Sequence, residues 1–160
     1  MTAHRRLEDR LIAWRIGDPE GDYPVYSAEG ARHVQGRWHA VGDAVIYTAE
    51  HYSTAMLERL VHWSGSLPPN QHFIEIAIPV GTTYEVLNPD HLPGWHESGG
   101  ETARRFGHAW LAEQRSALLL IPSIVGRMER NILINPNHPD ARAISHGLET
   151  PIWWDDRLFA

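Results

Sequence analysis

The chain has no cysteine, which removes disulfides, thiolate nucleophiles and cysteine-ligated zinc together. It has no apolar run approaching the ~20 residues that a membrane-spanning helix needs. The opening from Met1 to Arg10 lacks the apolar centre of a signal peptide, so the expected compartment is the cytoplasm. Positive charge is also short. A net charge of −6 argues against a protein that lives on phosphate backbones, because such affinity comes from clustered cations. The familiar chemical signatures are missing as well: no GxGxxG after a strand, no Gly-Lys-Ser/Thr phosphate loop, no GxSxG elbow and no HExxH. Eleven histidines are present, yet His51 and His62 are off ligand spacing and His91 and His96 sit in a Pro/Gly loop without a third partner. No metal site is expected.

What remains is 160 residues, of which 42% are hydrophobic. That is the size and apolar content of one globular domain over 1–160, and no repeat, low-complexity tract or linker divides it. Leu11 to Ile16 reads as a strand that carries Arg15 between apolar neighbours. Gly17 to Gln35 is a long loop with room for one short helix, and loops of that length are often functional. Phe73 to Val80 alternates with Ile74, Ile76, Ile78 and Val80 on one face, the pattern of a half-buried strand. Thr82 to Leu87 is a second. After a Pro/Gly loop over Asn88 to Gly100, a helix is expected from Glu101 to Gln114, with Ala103, Phe106 and Trp110 on one side. Ala117 to Ile121 is apolar throughout, as in a strand buried on both faces. Ile132 to Ile134 is a shorter one, and Trp153-Trp154 begins a last extended segment.

The informative stretch is Gly36 to Trp63. Ala44 to Ala49 is a β-rich run after the turn signal Gly42-Asp43, and it carries Tyr47. From Ser53 to Trp63 the apolar residues fall at helical spacing, with Tyr52, Met56, Leu60 and Trp63 in one row and Leu57 and Val61 beside it. Glu58 lies outside that arc, near Thr54 and His62, and is therefore either solvated or turned into a cleft. Arg37, Tyr47 and Glu58 thus sit about ten residues apart on a loop, a strand and a helix. Each has an ordinary explanation when taken alone: a surface arginine, a core tyrosine, a solvated glutamate.

Their order within a longer set of motifs says more. Trp14-Arg15-Ile16, Gly36-Arg37-Trp38 with Gly42, Ile46-Tyr47-Thr48-Ala49 and Ala55-Met56-Leu57-Glu58 with Val61-His62 come first. Ile121-Pro122-Ser123 with Glu129 and Asn131, Ile134-Asn135-Pro136-Asn137-His138-Pro139 and Asp156-Arg157-Leu158 follow. Together they resemble, in order and over nearly the whole chain, the RES domain family, toxins of bacterial Xre–RES toxin–antitoxin pairs. Two positions depart from the family's usual pattern: His39 stands where asparagine follows Gly-Arg-Trp, and Gln35 where a glycine precedes it.

The resemblance implies an α+β fold like that of ADP-ribosyltransferases, with two packed mixed β-sheets forming a cleft flanked by helices. It implies an enzyme whose substrate is NAD, with inorganic phosphate as a further co-substrate in some members and no true cofactor. Such an enzyme cleaves the nicotinamide–ribose bond and passes ADP-ribose to phosphate or water, depleting NAD and arresting growth. A protein side chain as acceptor, or a binding module without catalysis, are the alternatives. The catalytic set would be Arg37, Tyr47 and Glu58: a carboxylate for the oxocarbenium-like transition state, an aromatic ring and hydroxyl for nicotinamide, and an arginine for pyrophosphate. Arg15 would pair with Arg37 on the pyrophosphate. Ser123 would contact the ribose or the nicotinamide amide, with Asn131 and Asn135 completing the binding set. The implied partner is an Xre-type antitoxin that occludes the cleft in a hetero-oligomeric complex, with a toxin dimer as one form. Neither membrane nor direct nucleic-acid binding is implied.

Overall fold

The computed structural model describes residues 5–63 and 65–159; the first four residues of the polar opening lie outside them. The strands are β1 (Arg5–Arg6), β2 (Leu11–Gly17), β3 (Ile46–Ala49), β4 (His72–Ile78), β5 (Thr83–Val86), β6 (Leu118–Pro122), β7 (Arg130–Ile134), β8 (Ser145–His146) and β9 (Thr150–Pro151). The α-helices are α1 (Glu29–His33), α2 (Tyr52–Val61) and α3 (Glu101–Ala112).

Among the described residues the strands form one sheet in the order β1-β5-β6-β7-β3-β2-β4-β8, with β9 also paired to β4. Only β5 and β6 run parallel; the other pairs are antiparallel. The fold is therefore mixed α+β, as expected, but its strands are hydrogen-bonded into one ladder rather than two. The sheet curls until its halves face each other. Ala13, Ile74, Ile76 and Ile78 from β2 and β4 share one core with Leu118, Leu120, Ile132 and Ile134 from β6 and β7. The alternate residues Leu119, Ile121 and Leu133 join Trp38, Trp95 and Trp110 in a second core under α3. Two opposed cores explain why β6 is apolar at every position, since neither of its faces meets water.

The two halves meet at a weak seam. β2 pairs with β4 over seven positions, but with β3 only through Trp14 and Ala49. Where the ladder opens, a side chain takes over: Arg15 donates from Nη1 to the Tyr47 carbonyl at 2.8 Å and from Nε to the Val25 carbonyl at 2.6 Å. Backbone carbonyls that leave a ladder still need donors, and Arg15 supplies them across the seam.

Three sequence expectations are corrected. Val80 lies past the end of β4 and is exposed, because Gly81 turns the chain at φ 87°. The segment that begins at Trp153-Trp154 joins no ladder and gives way to a 3-10 turn over Asp156–Phe159. The third concerns α2. Thr54 and Ala55 are buried, whereas Leu57 and Val61 are 44% and 58% exposed. The helix lays its small, polar side on the seam, and so Glu58, one turn after Thr54, faces inward.

Candidate functional site

A two-lobed cleft opens along the seam. The first lobe, about 250 Å³, lies between β2 and α2 and is walled by Trp14, Arg15, Ala55, Arg59 and His62. The second, about 310 Å³, is walled by Arg37, Trp38, Val61, Ile121 and Ile124. Tyr47, Glu58, His62 and Asn131 border both. Residues 37, 47 and 58, dispersed over a loop, β3 and α2, are thus gathered around one concavity.

Glu58 is held by one oxygen. Its Oε1 accepts from Ser123 Oγ at 2.7 Å and from Asn131 Nδ2 at 2.8 Å. The Gly126 N–H donates to Ser123 Oγ at 3.0 Å, which leaves the Ser123 proton directed at the carboxylate. The other oxygen, Oε2, accepts from nothing among the described residues. A carboxylate so arranged is fixed in orientation yet keeps a lone-pair edge for a ligand. Asn131 Oδ1 is buried without a partner among the described residues, an acceptor of the kind that normally finds a donor.

Tyr47 is fixed just as firmly, by its hydroxyl. His39 is 3% exposed, and its Nε2 lies 2.8 Å from the carbonyl oxygens of both Ala31 and Val34. Two acceptors require the proton on Nε2, so Nδ1 is an acceptor, and the Tyr47 hydroxyl donates to it at 2.6 Å. The same oxygen accepts the Trp38 N–H at 3.2 Å. Burial pushes the phenol's pKa up, so it stays neutral. The hydroxyl therefore points into the protein, and what Tyr47 presents to the cleft is its ring. This pairing also needs a glycine at 36, where a Cβ would stand 2.6 Å from the His39 ring and 2.7 Å from the Tyr47 oxygen.

Arg37 donates from Nη1 to the carbonyls of Trp95 and Glu97 at 3.1 and 2.7 Å. Burial, then the neighbouring Arg104 and Arg127, lower its pKa. Its loop is braced by α3: Arg104 Nε donates to the Gly36 carbonyl at 3.0 Å, and Gly107 brings the helix backbone against Trp38. Trp38 is buried against Trp95 and Phe106.

The remaining expected residues take other places. Arg15 borders the first lobe and Arg37 the second, with Tyr47 bordering both. Ser123 is 0% exposed; its hydroxyl serves Glu58 and is not presented to a ligand. Asn135 is buried at the far end of β7, where Oδ1 accepts the Asn137 N–H and shapes the turn. At ~3.4 Å per residue it stands about 14 Å from Asn131. Arg59, His39 and Gly107 were not singled out for the site by sequence reasoning. Arg59 could have been found from its adjacency to Glu58 in the helix; Gly107 could have been found as a glycine inside a helical pattern.

Comparison with known proteins agrees with this architecture. The family model described as RES domain matches residues 12–155. A protein of Sphingobium sp. strain YBL2 named Prs ADP-ribosylating toxin is 44% identical over 138 residues, covering 82% of this chain and 86% of the relative. A protein of Pseudomonas putida named Toxin Res is 34% identical over 154 residues, covering 93% and 100%. Among solved structures, the M. tuberculosis MbcT–MbcA toxin–antitoxin complex contains a chain that superposes with a TM-score of 0.66 at 17% identity, covering 96% of this chain and 89% of that one. At that identity the likeness speaks to the fold alone. With a family match from β2 to the last turn and full-length relatives, the chain belongs to the RES domain family.

Proposed function

We propose that this protein is the toxin of a toxin–antitoxin pair, cleaving the nicotinamide–ribose bond of NAD and sending ADP-ribose to phosphate or water, so that loss of NAD arrests growth. The observation that carries the reading is Glu58, pinned by Ser123 and Asn131 through one oxygen with the other left to the cleft. As the C1′–N bond breaks, its electron pair leaves with nicotinamide and positive charge develops on the ribose. A fixed carboxylate beside that charge stabilises the transition state more than the ground state. The Tyr47 ring offers a rigid face for the nicotinamide, and Arg37 supplies charge for the dinucleotide's phosphates. Attack by a phosphate oxygen on C1′, or by a water oxygen that gives up its proton to solvent, then completes the transfer. On this reading the site is ADP-ribosyltransferase-like.

A second reading keeps the cleavage and changes the acceptor to a protein side chain. It is favoured by the name of the 44% identical Sphingobium relative, a Prs ADP-ribosylating toxin. Under either reading we expect a cognate antitoxin of the Xre type that covers the cleft, a reading supported by the structural neighbour's occurrence in a toxin–antitoxin complex.

The test is nicotinamide release from NAD by purified protein freed of antitoxin, with and without inorganic phosphate, alongside Glu58→Gln. Release that falls ~10²–10³-fold in the variant is expected from loss of a preorganised charge at the reacting centre. NAD labelled in the adenylate half, incubated with purified Prs, separates the acceptors: soluble label supports NAD degradation and label fixed on the protein supports the second reading. Folded parent protein that releases no nicotinamide in any of these mixtures would sink both.

A further inference from the structure

The first lobe gathers two guanidiniums, those of Arg15 and Arg59, against one lining carboxylate, Glu58. Arg15, Arg59 and His62 wall it. Among the described residues no carboxylate oxygen lies within 4.0 Å of either guanidinium, the distance that defines an ion pair. Burial, and after it the charge of Arg59, brings the Arg15 pKa down to about 10. Burial also lowers that of Arg59. The charge of Arg59 adds to the cost of keeping the buried Arg15 charged, Asp18 offsets only part of the burial cost of Arg59, and a bound anion relieves both.

The two arginines are differently placed to bind one. Arg15 has already spent Nε and Nη1 on the Val25 and Tyr47 carbonyls. Arg59 is tethered only through Nε, which donates to Gln71 Oε1, and Gln71 is itself fixed by its Nε2 donating to the Pro69 carbonyl at 2.8 Å. Neither terminal nitrogen of Arg59 has a partner among the described residues. A guanidinium held by Nε with its other edge unoccupied is a fork prepared for an oxyanion. The ordinary alternative is a cation in the last turn of α2 serving the helix dipole, worth about 0.3–1 kcal/mol. That role accounts neither for a second arginine on the same wall nor for the Nε tether.

We propose that the Arg15–Arg59–His62 lobe is an oxyanion subsite, distinct from the Arg37 side of the cleft, in which Arg59 is the binding fork for a phosphate group beside Glu58 and Arg15 is chiefly the seam's brace. The inference rests on the NAD reading only for the source of that phosphate: the dinucleotide's own pyrophosphate, or a free phosphate that accepts the ADP-ribose.

The experiment compares parent, Arg59→Gln and Arg59→Lys in two measurements. In the first, melting is followed against inorganic phosphate and pyrophosphate, with chloride at matched ionic strength as control. The parent is expected to gain stability from at least one of these probes beyond the chloride effect. The glutamine variant should bind it about 10–100-fold more weakly, as for the loss of a charge-assisted hydrogen-bonding fork, and the lysine variant should fall between. Equal phosphate and pyrophosphate responses in parent and Arg59→Gln would overturn the proposal. The second measurement is nicotinamide release. A raised KM for NAD with unchanged phosphate dependence assigns the subsite to the pyrophosphate, whereas a raised half-saturating phosphate with unchanged KM for NAD assigns it to the acceptor. No change in either, in a parent that does release nicotinamide, overturns the proposal. A parent that binds phosphate through Arg59 yet releases no nicotinamide leaves the subsite standing and removes the NAD reading.

Discussion

Replacing Tyr47 by phenylalanine separates two roles that a single tyrosine can play in such a cleft. The hydroxyl donates to His39 Nδ1 and accepts from the Trp38 N–H, so its removal strands one buried acceptor and one buried donor. His39 cannot recover by changing tautomer, because its Nε2 would then present a lone pair to the carbonyls of Ala31 and Val34. A stranded buried polar group costs roughly 1–3 kcal/mol. Two of them, softened by local adjustment, give about 2–4 kcal/mol. In a chain of this size each kcal/mol moves Tm by roughly 3 °C, so Tyr47→Phe is expected to melt about 6–12 °C below the parent. At a temperature where both are folded, the variant should still release nicotinamide within about tenfold of the parent, since the ring that faces the cleft is retained. Thermal melting and nicotinamide release on the same preparations decide the matter. A variant as stable as the parent but inactive would refute the reasoning, and would mean that the hydroxyl acts on substrate.

Other positions give independent checks. Gly107→Ala places a Cβ 1.8 Å from the Trp38 carbonyl oxygen and 2.7 Å from its carbon; backbone offers no rotamer to escape, so despite alanine's helix advantage of about 1 kcal/mol a loss of about 3 kcal/mol or more is expected. A raised Tm would contradict the close approach of α3. Ser123→Ala removes one of the two donors to Glu58 Oε1 without touching the cleft wall, so nicotinamide release should drop about tenfold through kcat with little change in KM. A rise in KM alone would return Ser123 to ligand contact. Asp140, whose Oδ2 accepts from the Thr83 hydroxyl and N–H at 2.7 and 3.1 Å, has its pKa lowered first by the hydroxyl bond. A depressed folded pKa means that its stabilisation is complete above the ordinary value of 3.8 and is lost as pH falls through the folded one. The Tm gap between parent and Asp140→Ala should therefore hold from pH 7 to about 4 and close below; a gap that widens in acid would refute the assignment.

Much of this architecture follows from local sequence. The apolar run of β6, the alternation in β4 and the helical spacing of α3 each satisfy a local period, and those elements form where the periods place them. The site set is also partly legible: Arg37, Tyr47 and Glu58 stand in a family-like order, and the fold brings them to one cleft. The facing of α2 was not legible. Met56 packs inward against the Ile16, Ala49 and Ala55 cluster, but Leu57 and Val61 are outward, because the inner side of that helix packs a seam that must also admit a polar group. Periodicity reports which face is apolar and is silent on which face a cleft requires. The same holds for Ser123 and Asn135, where residue type suits binding equally well, but burial turns one toward Glu58 and the other into a turn.

The sequence by itself determined the longer strands and helices and the chemical kinds of group available, because both depend on residues near in the chain, whereas the two-residue strands β1, β8 and β9 exist only through their partners. The tertiary structure alone decided the curl of the sheet, the one-pair seam between β2 and β3, the tautomer of His39 and the placing of Arg15 and Arg37 on different lobes of one cleft. Each of these depends on contacts between residues distant in sequence: Arg15 with Tyr47, Glu58 with Ser123 and Asn131, and Arg104 with Gly36. No local period encodes such contacts. They arise when packing two apolar faces forces strands apart at one place, and side chains must satisfy the backbone that the ladder has left open.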